Sequence, residues 1–95
     1  MRNIAIETYR IRPGSVAEDN TLMELSLRSN TGVTVIGIER QGVVYRMPSS
    51  AMRLMADDVL LFIGKRRDID CAIEFLDSSP DKPVQCPVRE DEPDL

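Results

Sequence analysis

The chain predicts an α+β fold of order β-α-β-β-β-α, a mainly antiparallel sheet with helices packed on it. Three observations carry this expectation. Thr31 to Arg40 (TGVTVIGIER) and Asp57 to Gly64 (DDVLLFIG) are short apolar runs bounded by turn-formers, as buried strands are. Asn3 to Ile11 (NIAIETYRI) alternates, with Ile4, Ile6 and Thr8 on one face and Ala5, Glu7, Tyr9 and Ile11 on the other. Ile69, Ala72, Ile73 and Leu76 recur at i, i+3, i+4 and i+7, the stripe of a helix lying on a sheet.

Each element has local punctuation. Pro13-Gly14-Ser15 breaks the first strand. A helix then begins near Asp19 to Thr21, where Thr21 and Glu24 have the spacing of a capping box. Leu22 and Leu25 face the sheet in that helix, while Met23 and Glu24 point outward or toward a partner. Asn30-Thr31-Gly32 ends it, with Gly32 as a left-handed stop. Val33 to Arg40 is then a strand apolar on both faces (Val33, Val35 and Gly37 against Thr34, Ile36 and Ile38), hence central or covered twice. Gln41-Gly42 turns it into a hairpin with Val43 to Met47, and Pro48-Ser49-Ser50 closes that strand. Leu54 is a candidate core plug. Asp57-Asp58 reads as a solvated turn before Val59 to Ile63, a second strand apolar on both faces. The last helix runs from about Arg67 to Leu76 with Asp68 as its cap.

At 95 residues the chain holds one domain. Residues 1–76 form the folded part. Residues 77–95 hold four of the six prolines and almost no apolar periodicity, so they read as an acidic, Pro-rich disordered tail. A folded part of that size is marginal as a lone core, so a homodimer is expected. Cys71 and Cys86 do not suggest a staple, because Cys86 falls in the tail, and an oxidising compartment is not expected. Residues 1–76 carry ten Lys/Arg against ten Asp/Glu, and the tail adds six acids and two bases to give the net charge of −4. A neutral folded part argues against duplex DNA as a partner. Met1 to Arg12 lacks the apolar core of a signal peptide, and no stretch approaches the roughly 18 apolar residues of a membrane span. The expected location is the cytoplasm, at a membrane only through a transporter.

Little here resembles reaction chemistry. There is no histidine, and no phosphate-loop or dinucleotide glycine motif. The cysteines have no metal-ligand spacing, and Ser49-Ser50 have no base beside them. No catalytic residue, metal site or cofactor is expected.

Taken in order, three stretches carry a resemblance. Thr21 to Arg28 (TLMELSLR) fits T-L-x-E-L-x-L-R, Thr31 to Ile38 (TGVTVIGI) fits T-G-V-x-V-x-x-I, and Ala56 to Gly64 (ADDVLLFIG) fits A-G-D-V-L-x-x-x-G. With the hairpin and the Pro48 loop between them, they resemble the C-terminal ligand-binding domain of the RCK/TrkA family, over about Ile4 to Leu76. Asp57 departs from the family glycine and requires a left-handed aspartate. Asp19-Asn20 replace the usual Gly-Lys and remove a basic side chain.

The resemblance implies a TrkA-C-like regulatory domain of a potassium or cation channel or transporter. Its implied partners are a second copy of itself, a membrane transport subunit and a nucleotide ligand such as cyclic di-AMP in the dimer cleft, with no DNA. Carried onto this chain, Arg28 would pair with a phosphate and Thr34 would hydrogen-bond nearby. Val35, Ile36 and Pro48 would pack near the bases. Arg28 would alternatively serve only the helix C-terminus. A ligand-free oligomerisation domain is the competing reading.

Overall fold

The computed structural model describes residues 4–86; Asn3 of the expected first strand and the tail from 87 to 95 lie outside them. The elements are β1 (Ile4–Arg10), α1 (Leu22–Leu25), α2 (Leu27–Thr31), β2 (Thr34–Arg40), β3 (Val43–Arg46), β4 (Val59–Lys65) and α3 (Arg66–Leu76). One antiparallel sheet of order β1-β4-β2-β3 has the helices on one face. The α+β architecture is as the sequence predicts.

The core lies between sheet and helices. Leu60 and Phe62 of β4 point into it and are fully buried, beside Ala5 and Tyr9 of β1 and Val35 and Ile38 of β2. From α3 come Ile69, Ala72 and Leu76, and from the connection before β4 comes Leu54, all without exposed surface. Gly64 also belongs to this packing, since a Cβ there would stand 3.2 Å from Val33.

Two places depart from the sequence pattern for tertiary reasons. The predicted helix over 21–30 starts with its capping box, Glu24 N donating to Thr21 Oγ1 and Thr21 N to Glu24 Oε1, but breaks at Ser26. Ser26 is left-handed (φ 49°, ψ 46°) and divides α1 from α2. On a continuous helix Leu25 and Leu27 would stand about 200° apart and could not share a core. The break lets both bury, to 3% and 4% exposure. A left-handed residue costs roughly 1–2 kcal/mol, whereas burying a leucine contributes roughly 1.5–3 kcal/mol. Burial wins.

The second departure is a β-bulge in β2. Val35 pairs with Phe62 and Gly37 with Leu61, leaving Ile36 as the extra residue. Beyond it the alternation shifts by one, so Ile38 pairs with Leu60 and turns inward, not onto the face of Thr34 as strict alternation requires. The hairpin turn is as expected, with both Gln41 (φ 51°) and Gly42 (φ 83°) left-handed.

Three expectations are corrected. The helix α3 begins after Lys65, so Asp68 lies inside the first turn and the N-cap is Lys65. Asp58 is no solvated turn residue. It is 2% exposed, accepts hydrogen bonds from Arg40 Nε (2.9 Å) and Nη2 (2.7 Å), and takes a third from Met55 N–H. Its neighbour Asp57 (φ 72°) makes the left-handed turn that delivers it. The cysteines are paired: Cys71 of α3 is bonded to Cys86, with their Cα atoms 5.8 Å apart. Composition marked the segment around Cys86 as loose, but the turn Ser79–Lys82 reverses the chain and returns it to α3.

The two strands apolar on both faces are central, yet the helices cover only one face. The other displays Ile6 (57% exposed) and Val44 (62%), with Leu61 and Ile63 half-buried between them.

Candidate ligand-binding groove

The corner at Ser26 shapes a surface depression. Because the chain bends there, α2 runs back toward the start of β2, and the loop after β3 closes the opposite side. Backbone bonds hold that loop: Met23 N–H donates to Ser50 O (3.0 Å), Met47 N–H to Ile36 O (3.0 Å), and Leu54 N–H to Asn20 O (2.9 Å). The result is a groove of about 380 Å³ between α1, α2, β2 and the 48–50 loop.

Its walls are apolar (Leu22, Met23, Leu27, Val33, Val35 and Pro48), and its polar groups are few. Ser26, Ser29, Thr34 and Ser50 line it, and among the described residues Arg28 is its one charged member. Among the described residues the Arg28 guanidinium has no hydrogen bond or ion pair. Other arginines are engaged: Arg12 with Asp77, Arg40 with Asp58, Arg66 with Glu7. Arg28 thus offers its donor fork to solvent above an apolar wall, a geometry suited to an anion attached to a flat apolar body.

Four of the five sequence-nominated residues, Arg28, Thr34, Val35 and Pro48, meet in this groove. Ile36 does not line it; the bulge sets it between Val35 and Gly37 at the groove's border. The sequence reading did not name Leu22, Met23, Ser26, Leu27, Ser29, Val33 and Ser50. Met23 alone carried a signal, as a large apolar side chain outside the helical stripe, and it is 63% exposed. The serines carry none.

Among the described residues the lining contains no carboxylate, thiol, lysine or phenol, the usual side chains of a general base besides histidine. Perturbed titration lies elsewhere. Tyr9 donates to Asp77 Oδ1 (2.7 Å), and burial first, then that bond, pushes the phenol up to about 12. Hydrogen bonds from Arg12 and Tyr9 hold the Asp77 carboxyl below its ordinary range. This cluster ties β1 to the end of α3. Among the described residues no group of three His, Cys, Asp or Glu is placed to hold a metal ion.

The match to known families covers this whole unit: the model of the TrkA-C domain fits residues 6–77. The chain belongs to the TrkA-C domain family. That family is a regulatory domain of transport proteins, not an enzyme family. Curated protein sequences give no significant match to this TrkA-C domain.

Solved structures share its fold. The RCK C domain of the potassium transport protein KtrA, in complex with cyclic diadenosine monophosphate, is 20% identical with TM-score 0.63, over 70% of this chain and 76% of that one. The RCK_C dimer of S. agalactiae BusR, also with cyclic di-AMP, is 21% identical with TM-score 0.64, over 70% and 87%. The GsuK channel bound to NAD is 20% identical with TM-score 0.68, over 78% of this chain and 14% of that one.

One expectation is overturned here. BusR is also known in complex with its promotor DNA, over a match of 32% of that chain, so the exclusion of DNA does not stand. Charge balance within one domain constrains that domain's own surface. It says nothing of the rest of a longer chain that carries the fold. Among the described residues no helix is long and apolar enough to cross a membrane.

Proposed function

We propose that this TrkA-C domain is a cytoplasmic ligand-sensing module of a potassium or cation channel or transporter. Residues 1–76 are the sensing domain and 77–95 its tail. Two copies set their grooves face to face and bind a nucleotide between them, cyclic di-AMP being the first candidate. The observation that carries this reading is the unpartnered Arg28 over an apolar-walled groove. A cyclic dinucleotide is two-fold symmetric, with two phosphates and two purines, and matches two Arg28 forks and two apolar walls related by a dimer axis. Thr34 supplies a hydroxyl, while Val35 and Pro48, with Ile36 at the border, flank the bases. Support also comes from the RCK C domains of KtrA and BusR, each of which binds this nucleotide.

Such binding does no bond chemistry. It favours the liganded dimer, by about 2.7 kcal/mol at ligand a hundredfold above its Kd, and that free energy is available to bias an attached transporter. The test is calorimetric titration of wild type and Arg28→Ala with cyclic di-AMP, NAD and ATP. Cyclic di-AMP binds wild type, and Arg28→Ala weakens it roughly 10- to 150-fold, the value of a charged hydrogen bond of about 1.5–3 kcal/mol. Equal affinities in the two proteins, or no binding by any of the three, reject the site.

A specific observation favours a second reading, a ligand-free oligomerisation domain. The uncovered sheet face with Ile6 and Val44 is apolar enough for self-association without a nucleotide. Under that reading the dimer forms, no ligand binds, and Arg28→Ala changes nothing.

A further inference from the structure

We propose that Cys71–Cys86 is a reversible thiol–disulfide exchange site that fastens or frees the segment 79–86 over the seam between α2 and α3. The sulfurs belong to half-buried residues, Cys71 in the middle of α3 and Cys86 at the end of the returning segment. Exchange requires thiolate access to one sulfur, which half-burial permits.

The segment has little else to hold it. Val16 N–H donates to Ser78 O (2.8 Å), and among the described residues this is the last backbone tie to the body of the domain. Beyond it the hydrogen bonds are local: Lys82 N–H to Ser79 O (3.0 Å) and Asp81 N–H to Ser79 Oγ (3.2 Å). Residues 79–85 are all exposed. Among the described residues no hydrogen bond or ion pair joins 79–86 to the rest of the fold.

Nor is the segment packed tightly onto what it covers. A cavity of about 280 Å³ lies beneath it, with Asn30, Thr31 and Phe75 on the body side and Pro83 and Val84 on the segment side. That space is open to water, so it limits the direct packing of the segment on the body. Among the described residues the covalent bond is therefore the fastening.

The electron balance is simple. A thiolate of a dithiol reductant attacks one sulfur, breaks Cys71–Cys86 and forms a mixed disulfide; its second thiolate resolves that bond and leaves as the oxidised reductant. Two electrons pass to the cysteines, which take up two protons and remain as thiols. Reduction frees 79–86 and uncovers Phe75 and the last turn of α2. Arg28 lies on the same five-residue helix, so reduction also reaches the groove; this consequence, and the cytoplasmic setting, rest on the function proposed above. In the cytoplasm disulfides are transient rather than structural, and this one suits a sensor better than a staple.

Thiol counting and backbone amide order parameters of the full chain test it, before and after dithiothreitol, with Cys86→Ser as the permanently open form. Oxidised protein shows no free thiol and ordered amides over 79–86, near 0.85; reduction yields two thiols and order parameters below about 0.6. Cys86→Ser gives the low values in either condition. Two free thiols in oxidising buffer, or unchanged order after reduction, overturn the proposal. A cyclic di-AMP titration of both states separates the two readings: absence of binding in both rejects the groove and leaves the exchange site standing.

Discussion

Replacing Arg40 with methionine removes two of the three donors that hold the Asp58 carboxylate, leaving only the Met55 N–H. Asp58 is 2% exposed, so the variant strands a charge in the interior. Breaking a buried pair in this way costs about 3–5 kcal/mol. The Arg40 side chain is 26% exposed, however, and water can enter where it stood. The lower figure, about 3 kcal/mol, is therefore expected. For a domain of this size each kcal/mol lowers Tm by about 4–8 °C, so the melting temperature should fall by about 12–24 °C. Thermal melting and urea unfolding, both followed by circular dichroism, measure the Tm and the free-energy loss, with Arg40→Met/Asp58→Asn as the control. The double variant removes the stranded charge and should recover part of the loss. A single variant within 1 kcal/mol of wild type, or a double variant no more stable than Arg40→Met, would refute the reasoning.

The Tyr9–Asp77 pair predicts pH dependence at both extremes. Tyr9 titrates higher when folded, so its contribution is complete below pH 10 and fades as pH rises toward about 12. Tyr9→Phe should lack that alkaline loss of Tm; identical alkaline profiles count against the bond. Asp77 titrates lower when folded, so its contribution holds above pH 3.8 and is lost as pH falls further, a loss Asp77→Asn should not show in an acid melting series. Ser26→Gly relieves the left-handed corner at the groove and should stabilise by up to about 1 kcal/mol in a urea series, the steric cost less the added chain entropy of glycine. A destabilised Ser26→Gly would mean that the corner is not under steric cost.

What the sequence revealed was local. The Ile69, Ala72, Ile73 and Leu76 stripe, the Thr21–Glu24 box and the Gly32 stop (φ 89°) are set within a few residues, and each stands where its pattern puts it; the left-handed Asp57 followed from the family resemblance instead. The break at Ser26 is not readable this way. Every local signal from Thr21 to Asn30 favours one helix, and only the shared core of Leu25 and Leu27 opposes it. The bulge at Ile36 escapes for a related reason: a strand apolar on both faces carries no alternation from which to fix its register. That two-faced apolarity marked the central strands, β4 and β2, and of its two alternatives, central or covered twice, the first holds, with one sheet face left open.

Long-range pairing was the other blind spot. Arg40 and Asp58 stand eighteen residues apart and Cys71 and Cys86 fifteen, so no local pattern links either pair. Both are joined by turns, Asp57 for one and Ser79–Lys82 for the other, whose closure only the fold displays. The groove was legible in part, because Arg28, Thr34, Val35 and Pro48 came from the family resemblance. Its serines and the wall of Leu22, Leu27 and Val33 depend on the corner that the sequence concealed.

Native mass spectrometry of the chain with cyclic di-AMP bears most directly on the central claim. Two chains carrying one nucleotide are the predicted species, and Arg28→Ala should give the pair of chains without it. A single chain at every nucleotide concentration, with no ligand retained, would contradict the account.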